Sequence, residues 1–173
     1  MHLLDHSPRI DYATAVEFAE KEYGIHSSAT SLPSERDQNF LLTTDSGEQF
    51  VLKISNALED RSLLEAQNAI LSYLGSHFNF CQRIVKTVAG TEITLIGGHF
   101  VRMVDFIPGT PLGKVQTLTN ALLHDLGRKL GQVDRVLVDF DHPATSISER
   151  EPTASRKQAS SRPTQAAERR SGW

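Results

Sequence analysis

Lys53 is the first side chain whose setting suggests chemistry. In Phe50-Val51-Leu52-Lys53-Ile54 alternate residues share a face, so Phe50, Leu52 and Ile54 look one way and Val51 and Lys53 the other. A flat apolar residue and a cation two positions apart can cover a purine and reach its phosphates. The same pattern also suits a lysine that snorkels from a half-buried sheet. On the helix that follows, helical spacing puts Leu63, Ile70, Leu71 and Leu74 in one stripe, with Gln67 near its middle and Asn68 at its margin. An unpaired polar side chain in a buried stripe costs roughly 1–3 kcal/mol, so Gln67 needs a partner, either Lys53 or backbone. Glu65 has more charge to offer but falls nearly opposite the stripe, and Ser62-x-x-Glu65 matches a capping box.

Two further segments could line a ligand. Pro33-Ser34-Glu35-Arg36-Asp37-Gln38-Asn39-Phe40 is a polar link between two strands. Its successive N–H groups and small polar side chains can line an anion site, although it has no glycine to let the backbone approach closely; a plain surface turn is the competing reading. Val101-Arg102-Met103-Val104-Asp105-Phe106-Ile107-Pro108-Gly109 runs as a buried strand into a Pro-Gly turn, the pattern of a connector between lobes. Pro108 has no N–H, so backbone groups just before it can escape sheet pairing and meet a flat heterocycle; a simple strand end fits equally. Other constellations are poorer. The seven histidines are scattered, and His2 and His6 lack the company of a metal site. Cys81 has no basic neighbours to activate it, and no nucleophile–base pair is visible.

The elements that must position these residues read as a short helix, a group of strands and two more helices. Tyr12, Ala15, Val16, Ala19 and Tyr23 recur at helical spacing between Asp11, an N-cap, and Gly24, a stop. Strands are expected over Ala29–Leu32, Asn39–Thr44 and Gln49–Ile54, with Asp45-Ser46-Gly47 as a hairpin turn. A helix over Arg61–Leu74 precedes strands at Arg83–Val88, Glu92–Ile96 and His99–Ile107. Thr117–Phe140 is a long amphipathic helix with Leu118, Leu122, Leu126, Leu130, Val133 and Leu137 on one face.

The 173 residues, 39% of them hydrophobic, suit one domain or two small ones, and a net charge of -3 argues against a dedicated nucleic-acid or polybasic membrane module. Met1–Ile10 has no apolar signal core and no 18-residue apolar run is present, so a cytoplasmic setting is expected. From Thr145 to Trp173, nine Ser or Thr and six Lys or Arg stand against only Ile147 and Trp173 as large hydrophobes. Such a stretch buries too little to offset the entropy of ordering it, and it reads as a disordered basic tail. The expected division is 1–107, 108–144 and 145–173.

In order along the chain, SERDQNF (Ser34–Phe40), VLKISN (Val51–Asn56), Gln67-Asn68-Ala69, Val101–Gly109 and FDHP (Phe140–Pro143) resemble the N-terminal lobe of the aminoglycoside phosphotransferase family, in its hydroxylysine-kinase-like branch. The likeness runs from about Asp11 to Ala144. It implies an α+β protein-kinase-like N-lobe: an antiparallel sheet of about five strands with a packed helix, then a hinge and the first helix of a second lobe. It implies further that Lys53 contacts ATP phosphates, that Val51 lies against adenine, and that Ser34, Asp37 and Asn39 belong to the phosphate-side loop. The backbone of Asp105 and Ile107 would serve the adenine edge, with Val104 behind it. Gln67 stands where the wider fold has a glutamate, so the implied partner of Lys53 is an amide.

The family's H-x-D catalytic loop and its later metal-binding aspartate have no counterpart after Ala144, so no catalytic residue and no ligand for the implied Mg²⁺ is assigned. The expectation is therefore a truncated or frame-shifted ATP-dependent phosphotransferase, whose full-length form phosphorylates a hydroxyl of a small amino compound. The alternative is a non-catalytic nucleotide- or protein-binding module that self-associates through the exposed face of its long helix.

Overall fold

The structure, a computed structural model, describes residues 6–143. The tail expected over 145–173 lies outside the described residues.

Helix α1 (Tyr12–Tyr23) starts where the Asp11 carboxylate accepts from the Thr14 N–H at 2.8 Å and stops at Gly24. Strands β1 (Ser28–Leu32), β2 (Gln38–Thr43) and β3 (Gln49–Ile54) follow, then α2 (Arg61–His77), β4 (Ile84–Val85), β5 (Thr94–Ile96), β6 (His99–Asp105) and α3 (Asn120–Leu137). All strand pairs are antiparallel. The order is β1-β2-β3-β6-β4, with β5 also on β6, so the expected antiparallel sheet holds six strands. Gly47 takes φ +86° in the turn between β2 and β3, and its N–H donates to the Thr44 carbonyl at 2.9 Å.

One face of the sheet carries the core. Ala15, Ala19 and Tyr23, each four residues apart on α1, pack with Phe40, Leu42, Leu52, Ile54, Val101 and Met103. The alternation read in β3 is thus realised: Leu52 and Ile54 are fully buried against α1, and Phe50 packs at the edge of the same cluster. Lys53 is left on the opposite face.

Several boundaries differ from those expected. The strand over Arg83–Val88 shrinks to Ile84–Val85, because the Thr87 N–H turns back to the Thr91 carbonyl and the Val88 N–H goes to the Glu22 carbonyl at the end of α1, both at 2.8 Å. Ser62-x-x-Glu65 is not a capping box. Asp60 caps α2 through the Ser62 N–H at 2.7 Å, and Glu65 pairs with Arg61 at 2.8 Å. With the helix starting there, Leu64 and Asn68 are buried and Leu63 is exposed, a rotation from the stripe expected on Leu63. The 87–93 segment also covers the far flank of α2, where the Asn68 amide meets Glu92 at 3.4 Å. Helix α3 buries no residue and leaves Leu123, Leu126 and Leu130 exposed, with Leu118 exposed just before it. Beside it, Phe140 sits 5.3 Å from Tyr73 of α2, ring to ring.

Tyr23 has a cost built into this core. Its hydroxyl is buried without a partner, and burial pushes its pKa well above the usual tyrosine value. A folded-state pKa above the unfolded one means the tyrosine proton favours the fold below about pH 10 and that this contribution is lost as pH rises past it. Tyr23→Phe is expected to leave the fold intact, raise stability by about 1 kcal/mol in a urea melt, and flatten the loss of stability above pH 10.

Candidate functional site

The second face of the sheet is built in rows. In β3 and β6, Lys53 lies opposite Arg102 and Val51 opposite Val104. In β2 and β3, Asn39 lies opposite Lys53 and Leu41 opposite Val51, while Ile84 of β4 faces Val104. Residues directly opposite share a face. The register therefore sets a polar row, Asn39–Lys53–Arg102, beside an apolar row, Leu41–Val51–Val104–Ile84. Helix α2 lies over this face, and between them is a cavity of about 260 Å³ lined by Lys53, Gln67, Ile70, Leu71, Gln82, Arg102 and Val104.

Lys53 and Gln67 thus meet at one cavity, but they do not pair. The Gln67 side-chain oxygen accepts from the Arg102 guanidinium at 2.8 Å, and the Asn68 side-chain oxygen accepts from it at 2.9 Å. A guanidinium presents a fixed fork of donors, which two successive amides on one helical turn can meet together. Lys53 makes no hydrogen bond or ion pair among the described residues. Burial, and then the neighbouring Arg102 charge, hold its pKa below the ordinary lysine value, with Asp37 opposing; burial likewise lowers that of Arg102, opposed by Asp37 and Glu59. Neither carboxylate touches the pair. Asp37 accepts from the Asn56 N–H at 3.0 Å, and Glu59 lies 3.8 Å from Arg36.

The other expected site residues are distributed as follows. Ser34 is exposed in the link between β1 and β2, and Asp37 closes that link onto the residue two after β3. Asn39 stands in the polar row, its side-chain oxygen buried and unpartnered. Val51 and Val104 are buried in the apolar row. The backbone of Asp105 is not free, contrary to expectation. Its N–H donates to the Arg83 carbonyl at 3.0 Å, its carbonyl accepts from the Gln82 side chain at 3.1 Å, and its carboxylate takes the Arg83 N–H at 2.6 Å. The pairing of β4 with β6 runs one residue beyond β4, to Arg83, and absorbs these groups. Phe106 is also engaged, through the Gln49 carbonyl at 3.1 Å, so Ile107 is the position before Pro108 whose backbone makes no hydrogen bond among the described residues.

Arg102, Asn68 as its acceptor, and Gln82 are the site residues that sequence reading missed. A cation inside Val101-Arg102-Met103-Val104 was the available signal, since a charge in a strand flanked by apolar residues must be matched by something across the sheet.

Two cations without a carboxylate contact, set beside an apolar strip, can hold a polyanion attached to a flat ring. A divalent metal does not fit. Among the described residues no group of three or more His, Cys, Asp or Glu could hold one, and the Lys53 and Arg102 cations lining the cavity would repel it. Among the described residues no helix is long and apolar enough to cross a membrane.

Residues 28–171 match the family described as the phosphotransferase enzyme family; the match continues through most of the stretch read above as a disordered basic tail. The chain is 28% identical over 162 residues to a hydroxylysine kinase of Danio rerio, covering 87% of this chain and 45% of that protein. It is 32% identical over 165 residues to one of Xenopus laevis, covering 86% and 44%. The chain therefore spans less than half the length of these relatives. The fold is similar to amicoumacin kinase hAmiN, solved with AMP-PNP, Ca²⁺ and Ami, at a TM-score of 0.63 and 19% identity, over 78% of this chain and 42% of that one. It is similar also to spectinomycin phosphotransferase APH(9)-Ia, solved with ADP and spectinomycin, at a TM-score of 0.61 and 18% identity, over 79% and 40%.

Proposed function

Because the chain belongs to the phosphotransferase enzyme family, we propose that its sheet and α2 form the nucleotide side of a small-molecule kinase. Residues 1–107 are the nucleotide-side lobe, and 108–144 are the hinge and first helix of a second lobe. A nucleoside triphosphate such as ATP places its base against Val51 and Val104, with the backbone N–H of Ile107 free to meet the base edge. Its phosphates reach Lys53, with Ser34, Asp37 and Asn39 along the loop side. The γ-phosphoryl group goes to a hydroxyl of a small amino compound. The names of the relatives, hydroxylysine kinase above all, support that acceptor class. A cytoplasmic setting, where the chain would draw on the cell's nucleotide pool, goes with this reading.

The observation that carries this reading is the register that sets Lys53 beside Val51, across from Val104, on a cavity-lining face. The test is a calorimetric titration of the full chain with ATP and with adenosine. Wild type binds ATP more tightly than adenosine. Lys53→Met weakens ATP binding roughly 10–100-fold and leaves adenosine binding nearly unchanged, since a charged hydrogen bond to phosphate is worth about 1.5–3 kcal/mol. Equal affinity of wild type and Lys53→Met for ATP would remove the site.

A second reading, a docking module without catalysis, is favoured by α3, whose Leu123, Leu126 and Leu130 are exposed together with Leu118 just before the helix. Sizing by light scattering separates the two. A nucleotide-binding monomer fits the first, and a self-associating chain indifferent to nucleotide fits the second.

A further inference from the structure

Arg102 is 6% exposed, and the two groups that hold it are neutral. A buried cation is ordinarily matched by a carboxylate, because taking an ion out of water is expensive unless its charge is compensated. An amide fixes the guanidinium without cancelling anything. Two of its five N–H donors go to Gln67 and Asn68, and Nε–H has no partner among the described residues. Directly across the ladder stands Lys53, which also lacks a carboxylate contact. Two like charges on adjacent strands repel, and that repulsion costs stability within the chain. Asp37, which acts on both cations through space, and Glu59, which acts on Arg102, make their contacts with the Asn56 N–H and with Arg36. Those acids offset the two charges only through space, so a contacting anion is what the row lacks, and a ligand can supply it.

Building on the nucleotide site proposed above, we infer that Arg102 is a second phosphate-binding cation, gripping the same polyphosphate as Lys53, and that Gln67 and Asn68 hold it without neutralising it. The glutamine in place of an acid on α2 then has a purpose. A glutamate there would bond the guanidinium more strongly and take away the charge offered to phosphate.

The ratio of ATP to adenosine affinity, measured by calorimetry on the full chain with a chelator present, tests this. Arg102→Met should shrink the ratio roughly 10–100-fold with adenosine affinity unchanged. Gln67→Glu, which keeps the hydrogen bond and the packing, should shrink it about tenfold, and more at low salt than at high. An unchanged ratio in Arg102→Met alongside a collapsed ratio in Lys53→Met would overturn the role of Arg102 and leave the nucleotide site standing. Unchanged ratios in both would overturn the site itself. Equal losses of ATP and adenosine in Arg102→Met would also overturn the inference, because they would mark a purely structural side chain. Should Arg102→Met fail to fold, Gln67→Glu decides alone: an unchanged ratio there overturns the proposal.

Discussion

Leu52→Ala is expected to destabilise the fold by about 2–5 kcal/mol, a large part of the roughly 5–15 kcal/mol available to a domain of ordinary stability. Leu52 is fully buried in β3, registered between Phe40 of β2 and Met103 of β6 and packed in the same cluster as Ala15 and Ala19 of α1. Truncating it opens a void that the strands cannot close without breaking ladder bonds on both sides. A thermal or urea melt followed by circular dichroism should show the loss. Leu52→Met, which conserves volume, should cost less than about 1.5 kcal/mol. Val88→Ala, at a position 72% exposed, should lie within about 0.5 kcal/mol of wild type. Because Lys53 is the next residue on the same strand, ATP binding should fall with the folded fraction of Leu52→Ala and in no other way. A folded Leu52→Ala that is as stable as wild type would mean that β3 is not the centre of the core.

Alternation along β3 made the two faces of the sheet legible, because a strand's side-chain period leaves no choice once Phe50, Leu52 and Ile54 are recognised as apolar. The caps of α1 and the Gly47 turn were legible for the same local reason. Pairing across elements was not. Gln67 could be seen to need a partner, yet Lys53 and Arg102 both sit on the face it overlooks. Only the β3–β6 register, with Lys53 against Arg102, reveals that the wider fork of the guanidinium takes both amides. Asn68 looked marginal because the wheel was centred on Leu63. The turn is set by Asp60 and by the 87–93 segment, which packs on the outer flank of α2 from a distance in sequence. The expected freedom of the Asp105 backbone failed likewise. Pro108 does remove an N–H, but Gln82 and Arg83 arrive from the preceding segment to take the groups before it.

Asn68→Leu is expected to be the most damaging change in the site, at about 3–5 kcal/mol, and to be repaired by a second change that looks worse. Asn68 is 1% exposed, and its oxygen is one of two acceptors for a guanidinium that is itself buried. An apolar side chain there strands one end of a charged group away from water, the most expensive way to break a buried interaction. Replacing the cation as well, in Asn68→Leu/Arg102→Met, removes the group that needed an acceptor and fills the space with methylenes; Gln67, half-buried at the cavity edge, keeps access to solvent. Stability should return to the wild-type value or exceed it, as it does when buried ionic groups give way to well-packed apolar ones. Chemical melts of the three proteins measure this directly, and a coupling energy of less than about 0.5 kcal/mol between the two substitutions would show that the Asn68–Arg102 contact carries no weight in folding. If the repaired protein is as stable as wild type yet has lost its preference for ATP over adenosine, then folding never required Arg102. The chain then tolerates a buried, uncompensated cation beside Lys53 because an anionic ligand completes it, and the destabilised row of the sheet is the binding site.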